Sequence, residues 1–103
     1  MPRTPELELH ESDSRIRLEG EVTVTRAVEV KKLLLEWLAS GRNLRLDLEN
    51  ATEIDITLLQ LLVAAAREAE RAGLRMITSV SPAAAAAAGD AGFEQFPGAA
   101  RGK

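Results

Sequence analysis

The sequence predicts an α/β fold: a small mixed four-stranded sheet with about three helices packed on it, in the order β-β-α-β-α-β-α. Three observations predict it. Short stretches alternate apolar and polar residues, the period of half-buried strands. Longer stretches between them repeat apolar residues at helical spacing. Cap and turn residues punctuate each change of period, and strands that alternate with helices imply crossover connections and parallel pairing.

The first two strands are "ELELH" (6–10) and "RIRLEGEV" (15–22). Leu7 and Leu9 share one face, as do Ile16 and Leu18, and the polar "ESDS" between the strands suits a hairpin turn. In "TRAVEVKKLLLEWLASGRN", Ala27, Val30, Leu34 and Leu38 form one helical stripe. Thr25 is placed to cap this first helix and Gly41 to end it. Leu33, Leu35 and Trp37 widen its apolar surface beyond what one stripe requires. "LRLDLEN" (44–50) alternates again and reads as a strand. "ATEIDITLLQLLVAAAREAERAG" (51–73) supplies the second helix, closed by Gly73. "LRMITSV" (74–80) is the last strand. Ser81 and Pro82 then open a third helix in the N-cap and first-turn positions, and Gly89 can stop it. Its alanines favour helix but bury little, so weak anchoring is expected. Residues 97–103, "PGAARGK", read as a frayed tail.

At 103 residues the chain has room for one small domain, 1–103. Nearly half its residues are apolar but only 3% are aromatic, so Leu, Val, Ile and Ala must build the core. The net charge of -3 comes from 13 basic and 16 acidic residues mixed along the chain, which leaves no basic patch for nucleic acid. No cysteine is present, which excludes disulfides and thiolate metal sites. No stretch resembles a signal peptide or approaches the roughly 20 apolar residues that span a bilayer, so a cytoplasmic location without membrane insertion is expected.

The second helix begins at a polar edge. Thr57 and Gln60 have capping-box spacing, and Asp55 offers a competing cap. Leu58, Leu62, Ala65 and Ala69 form one stripe of this helix; Leu59, Val63 and Ala66 form another beside it. Either neighbouring helices cover both stripes, or the second meets a partner protein.

In order and in these residues the chain resembles the STAS domain family, the fold of bacterial anti-sigma factor antagonists. "RIRLEGEVTVTRAVEVKKLLLEWL" is similar to the family's strand, Gly-Glu turn and first helix. "LRLDLENATEIDITLLQLL" is similar to its strand, polar loop and second helix, and "GLRMITSVSPAAAAAAGDAGF" to its closing pattern. The resemblance implies a non-enzymatic regulatory module that binds a protein, usually a histidine-kinase-like anti-sigma factor. It also implies a phosphorylated Ser or Thr directly after an Asp, in Asp-Ser-Ser-Gly or Asp-Thr-x-Gly. Here the tetrad is Asp55-Ile56-Thr57-Leu58. Ile56 has no oxygen to accept a phosphoryl group, Leu58 replaces the Gly, and Thr23 stands where relatives carry an Asp after the Gly-Glu turn. Either Thr57 has taken over as acceptor or this chain is not switched at this helix; a capping Thr57 favours the second.

Little else suggests chemistry. His10 is the lone histidine, on an edge strand, and Asp47, Glu49, Glu53 and Asp55 read as solvated loop carboxylates. No phosphate-binding loop and no nucleophile elbow are present. The expectation is therefore no enzyme, no cofactor and no metal. It is a docking site of Thr23, Asp55, Ile56, Thr57, Leu59 and Val63 for an anti-sigma factor or other ATPase. The alternatives are an accessory subunit of an ABC transporter that moves lipids, a chemotaxis or signalling module, or a nucleotide or lipid binder that uses room around the alanine helix. A homodimer through the first helix, anchored by Trp37, is a further expectation.

Overall fold

The computed structural model of the chain describes residues 7–9 and 13–100, and His10 lies outside them. The elements are β1 (Leu7–Leu9), β2 (Asp13–Arg17), β3 (Gly20–Val22), a 3-10 turn (Val24–Arg26), α1 (Ala27–Ser40), β4 (Asn43–Leu48) and β5 (Ala51–Ile54). They continue with α2 (Ile56–Arg71), β6 (Met76–Val80), α3 (Pro82–Asp90) and β7 (Ala99–Ala100). The mixed α/β class and the helices stand as expected. The sheet is larger than four strands: five run in the order β1-β2-β4-β6-β7, and β3 and β5 form a separate parallel pair.

β1 and β2 are the antiparallel hairpin, with Leu7 opposite Ile16. β2, β4 and β6 are parallel, and their register aligns Ile16 with Leu46 and Leu46 with Thr78. Alternation then sends Ser14, Ile16, Leu44, Leu46, Met76 and Thr78 to one buried face. Val30, Leu33, Leu34 and Trp37 of α1 and Leu58, Leu59, Leu62, Ala65 and Ala69 of α2 close the core over that face. On the other face Arg17 pairs with Asp47 at 3.2 Å and Arg45 with Asp13 at 3.1 Å.

The strand expected over 15–22 breaks in two. Gly20 takes φ 73 and the register with β5 shifts between Gly20 and Glu21, so the chain bends there. Leu18 N–H to Asp47 O and Gly20 N–H to Asn50 O, both 3.0 Å, carry the pairing across the break. β3 and β5 are thus a bent continuation of β2 and β4. β5 lies where sequence reasoning placed a loop and the start of a helix. Its exposure runs buried, exposed, exposed, buried, which is not a strand's alternation.

Two cap assignments change here. Thr25 sits inside the 3-10 turn rather than at the start of α1, and its hydroxyl lies 3.2 Å from that of Thr23. Gly89 is within α3, which ends at Asp90. Gly41, with φ 72, does close α1. Ser81 does cap α3: its Oγ accepts from the Ala84 N–H at 3.0 Å and donates to Ala51 O at 2.7 Å. That double use, with Ala84 and Ala88 buried against the core, anchors α3 firmly. Alanine is the size that lets this helix approach β5 closely.

Of the stretch expected to fray, residues 97–100 are described and make contacts with β6. Thr78 Oγ1 donates to Pro97 O at 3.2 Å, and β7 pairs in parallel with Ile77 and Thr78 of β6. Trp37 is fully buried and its Nε1 donates to Arg42 O at 2.6 Å. It is a core residue and cannot anchor a dimer. No helix among the described residues is long and apolar enough to cross a membrane.

Candidate functional site

Val22 and Ile54 are register partners at the ends of the parallel strands β3 and β5. Parallel pairing brings the segments that leave both strands to one edge of the molecule, the 3-10 turn from β3 and the start of α2 from β5. One residue, Asp55, separates Ile54 from α2. Its backbone is extended (φ -105, ψ 174), as an N-cap requires. Its Oδ1 accepts from the Leu58 N–H at 3.1 Å and its Oδ2 from the Val24 N–H at 2.8 Å. A single carboxylate therefore caps α2 and ties the turn before α1 to it. From the other side Arg26 Nη1 donates to Glu19 O at 2.8 Å and Glu21 O at 3.0 Å.

This frame displays side chains that the core does not use. Ile56, at the first position of α2, is 52% exposed and Val24 is 57% exposed. Thr57 is exposed, and its hydroxyl makes no hydrogen bond among the described residues. Thr57 is thus not the cap: β5 runs to Ile54, the only extended residue left before the helix is Asp55, and the helix has begun before position 57. Thr23 is half-buried beside Thr25.

The structure brings Thr23, Asp55, Ile56 and Thr57 together on one edge. It does not bring Leu59, which is 1% exposed and part of the core. Val63 is half-buried, two turns along α2. Both stripes of α2 face protein at Leu58 and Leu59, because the helix packs on the core and also against α1. Sequence reasoning missed Val24 and Val28, the second of which is 85% exposed. The signal was available: Val28 lies off the stripe of Ala27, Val30, Leu34 and Leu38. Beside these residues a groove of about 380 Å³ runs between α1 and α2, lined by Ala27, Val28, Lys31, Thr57, Gln60, Leu61 and Ala64.

Two of the four acidic side chains nearby have structural work. Asp47 pairs with Arg17 and accepts from the Glu49 N–H at 2.9 Å, and Asp55 serves two backbone donors. Among the described residues no group of three or more acidic or histidine side chains could hold a metal. What the edge offers is apolar surface and hydroxyls on a backbone fixed by short hydrogen bonds.

The family model described as "Mlab, STAS domain" matches residues 6–97. No curated protein matches the chain. Among solved structures, an anti-sigma factor antagonist from Mycobacterium paratuberculosis is 20% identical, with TM-score 0.71 over 91% of this chain and 85% of that one. The Bacillus cell fate determinant SpoIIAA in its phosphorylated form is 20% identical, with TM-score 0.70 over 90% of this chain and 87% of that one. The anti-sigma factor antagonist SpoIIAA in its unphosphorylated form is 20% identical, with TM-score 0.64 over 73% and 71%. At these identities the likeness is one of fold.

Proposed function

Since the chain belongs to the STAS domain family, we propose that it is a non-enzymatic docking module that binds an ATPase, of the histidine-kinase-like anti-sigma type, through the edge built on Asp55. The observation that carries this reading is Ile56: a bulky apolar side chain held 52% exposed on a rigid helix start. Exposed apolar groups on a preorganised backbone favour a protein partner, because little ordering entropy is left to lose on binding. Thr23, Val24, Asp55 and Thr57 complete the contact. Leu59 takes no part, and Val63 lies at its margin.

The docking is not switched by phosphorylation. That part of the reading rests on Ile56, which has no hydroxyl where relatives carry one; the capping argument from Thr57 no longer supports it. A second reading, in which the ATPase belongs to an ABC transporter that moves lipids, is favoured by the same residue. Without an acceptor oxygen at position 56 the reason to tie this chain to a kinase is weaker. Capture of the tagged chain from its own cells, with mass spectrometry of what it retains, tests both. A histidine-kinase-like ATPase supports the first reading and a transporter ATPase the second. Recovery of the chain with no ATPase at all contradicts both.

A further inference from the structure

The large apolar side chains exposed among the described residues are Val24, Val28, Leu35 and Ile56. Val24 and Ile56 belong to the edge already assigned. Val28, at the margin of that edge, and Leu35 (56% exposed), which is outside it, lie seven residues apart on α1. At about 100° per residue, Val28, Leu35 and Ala39 fall within about 40° of one another. The buried residues Val30, Leu33, Leu34 and Trp37 occupy the opposite side. A helix apolar on two opposite faces is covered on both. Its outer face is an open surface formed by Val28, Lys31, Lys32, Leu35, Glu36 and Ala39.

We propose that a second copy of this chain covers that face, with two α1 helices side by side and parallel about a two-fold axis. The charges choose the occupant and the direction. Val28, Lys32, Leu35 and Ala39 follow the 4-3-4 spacing of a coiled-coil seam, with Lys31 and Glu36 on its two flanks. In a parallel pair, flanking residues five apart meet across the seam. Lys31 then faces Glu36 of the second copy, and symmetry makes the pair twice. An antiparallel pair that matches Val28 with Leu35 would set Lys31 against Lys32 of the second copy twice and leave Glu36 without a cation across the seam, whereas the parallel pair sets only Lys32 against its counterpart and pairs Lys31 with Glu36 on both sides. Within the chain Lys31, Lys32 and Glu36 enter none of the ion pairs among the described residues, so all three are available. Lys32 in the seam lowers affinity but discourages other registers, with its stem lying along the apolar groups. With roughly two heptads in contact, a dissociation constant of about 10–100 μM is expected.

Sedimentation equilibrium of the full chain between about 1 μM and 1 mM tests this. The expected result is a monomer–dimer equilibrium that Leu35→Asp weakens at least tenfold. Lys31→Glu should weaken it too, by setting a carboxylate at position 31 against Glu36, and the exchange Lys31→Glu with Glu36→Lys should restore it. Ile56→Asp should leave it unchanged, which separates this proposal from the docking edge. Circular dichroism checks that each variant stays folded, as exposed positions predict. A monomer at every concentration overturns the proposal and leaves the face to some other occupant. So does a dimer indifferent to Leu35→Asp. A dimer that Lys31→Glu strengthens is antiparallel, and overturns the parallel arrangement.

Discussion

Asp55 shows how much one side chain can organise. Its two carboxylate oxygens serve two backbone donors thirty-four positions apart in the chain, the N–H groups of Val24 and Leu58. Asp55→Ala should cost about 2 kcal/mol, the sum of a lost N-cap and a lost charged hydrogen bond, as read from urea denaturation. Asp55→Asn should cost about half as much, because an amide oxygen still caps α2 but the amide nitrogen cannot accept from Val24. Thr57→Ala should stay within about 0.5 kcal/mol of the parent. A larger loss at Thr57 would mean that the capping box forms after all. Intact mass spectrometry of the chain from its own cells should find it unmodified; phosphothreonine at position 57 would contradict the unswitched reading. Both candidate caps were visible in the sequence. The choice between them was not, because it depends on where β5 ends, and β5 has no period of its own.

At the scale of elements, the strongly periodic ones were legible and the short ones were not. β2 and β4 alternate, and the stripes of α1 and α2 repeat, because each lays a single face on a core. β5 is four residues long and, among the described residues, pairs only with β3. β7 is two alanines behind Pro97 and Gly98, a composition poor in strand formers that pairing with β6 overrides. Gly98 is what lets β7 dock. It takes φ +91, and a Cβ there would stand 2.8 Å from Met76 O. Gly98→Ala should therefore cost about 1–3 kcal/mol and raise amide exchange along β6. Unchanged stability would show that β7 contributes nothing to the sheet. The second apolar face of α1 belongs to this scale too. Trp37 looked like surplus surface in the sequence, but it fills the core, and only Leu35 of the widening residues is exposed. Spacing alone cannot tell the two, since a helix's rotation against its sheet is set by tertiary packing.

For the whole molecule, the topology decides where function can sit. The two parallel strands that end at Val22 and Ile54 place the turn before α1 and the start of α2 on one edge. Residues distant in sequence thus become one surface, and four of the six candidate residues, Thr23, Asp55, Ile56 and Thr57, fall on it because the family's element order predicts this edge. Leu59 was misplaced because its stripe on α2 faces the core. The same core makes Trp37 a reporter for the entire fold. Trp37→Ala should cost about 3–5 kcal/mol, and the parent's lone tryptophan should emit in the blue until the chain unfolds. An emission maximum typical of water-exposed indole in the native protein would contradict the core described above. The central claim is that the Asp55 edge docks a partner without a phosphorylation switch. Its most direct test is quantitative capture from the protein's own cells by the parent chain, by Ile56→Asp and by Leu35→Asp in parallel. The account predicts one ATPase held by the parent and by Leu35→Asp and lost at least tenfold from Ile56→Asp. Equal retention of that ATPase by all three would contradict it.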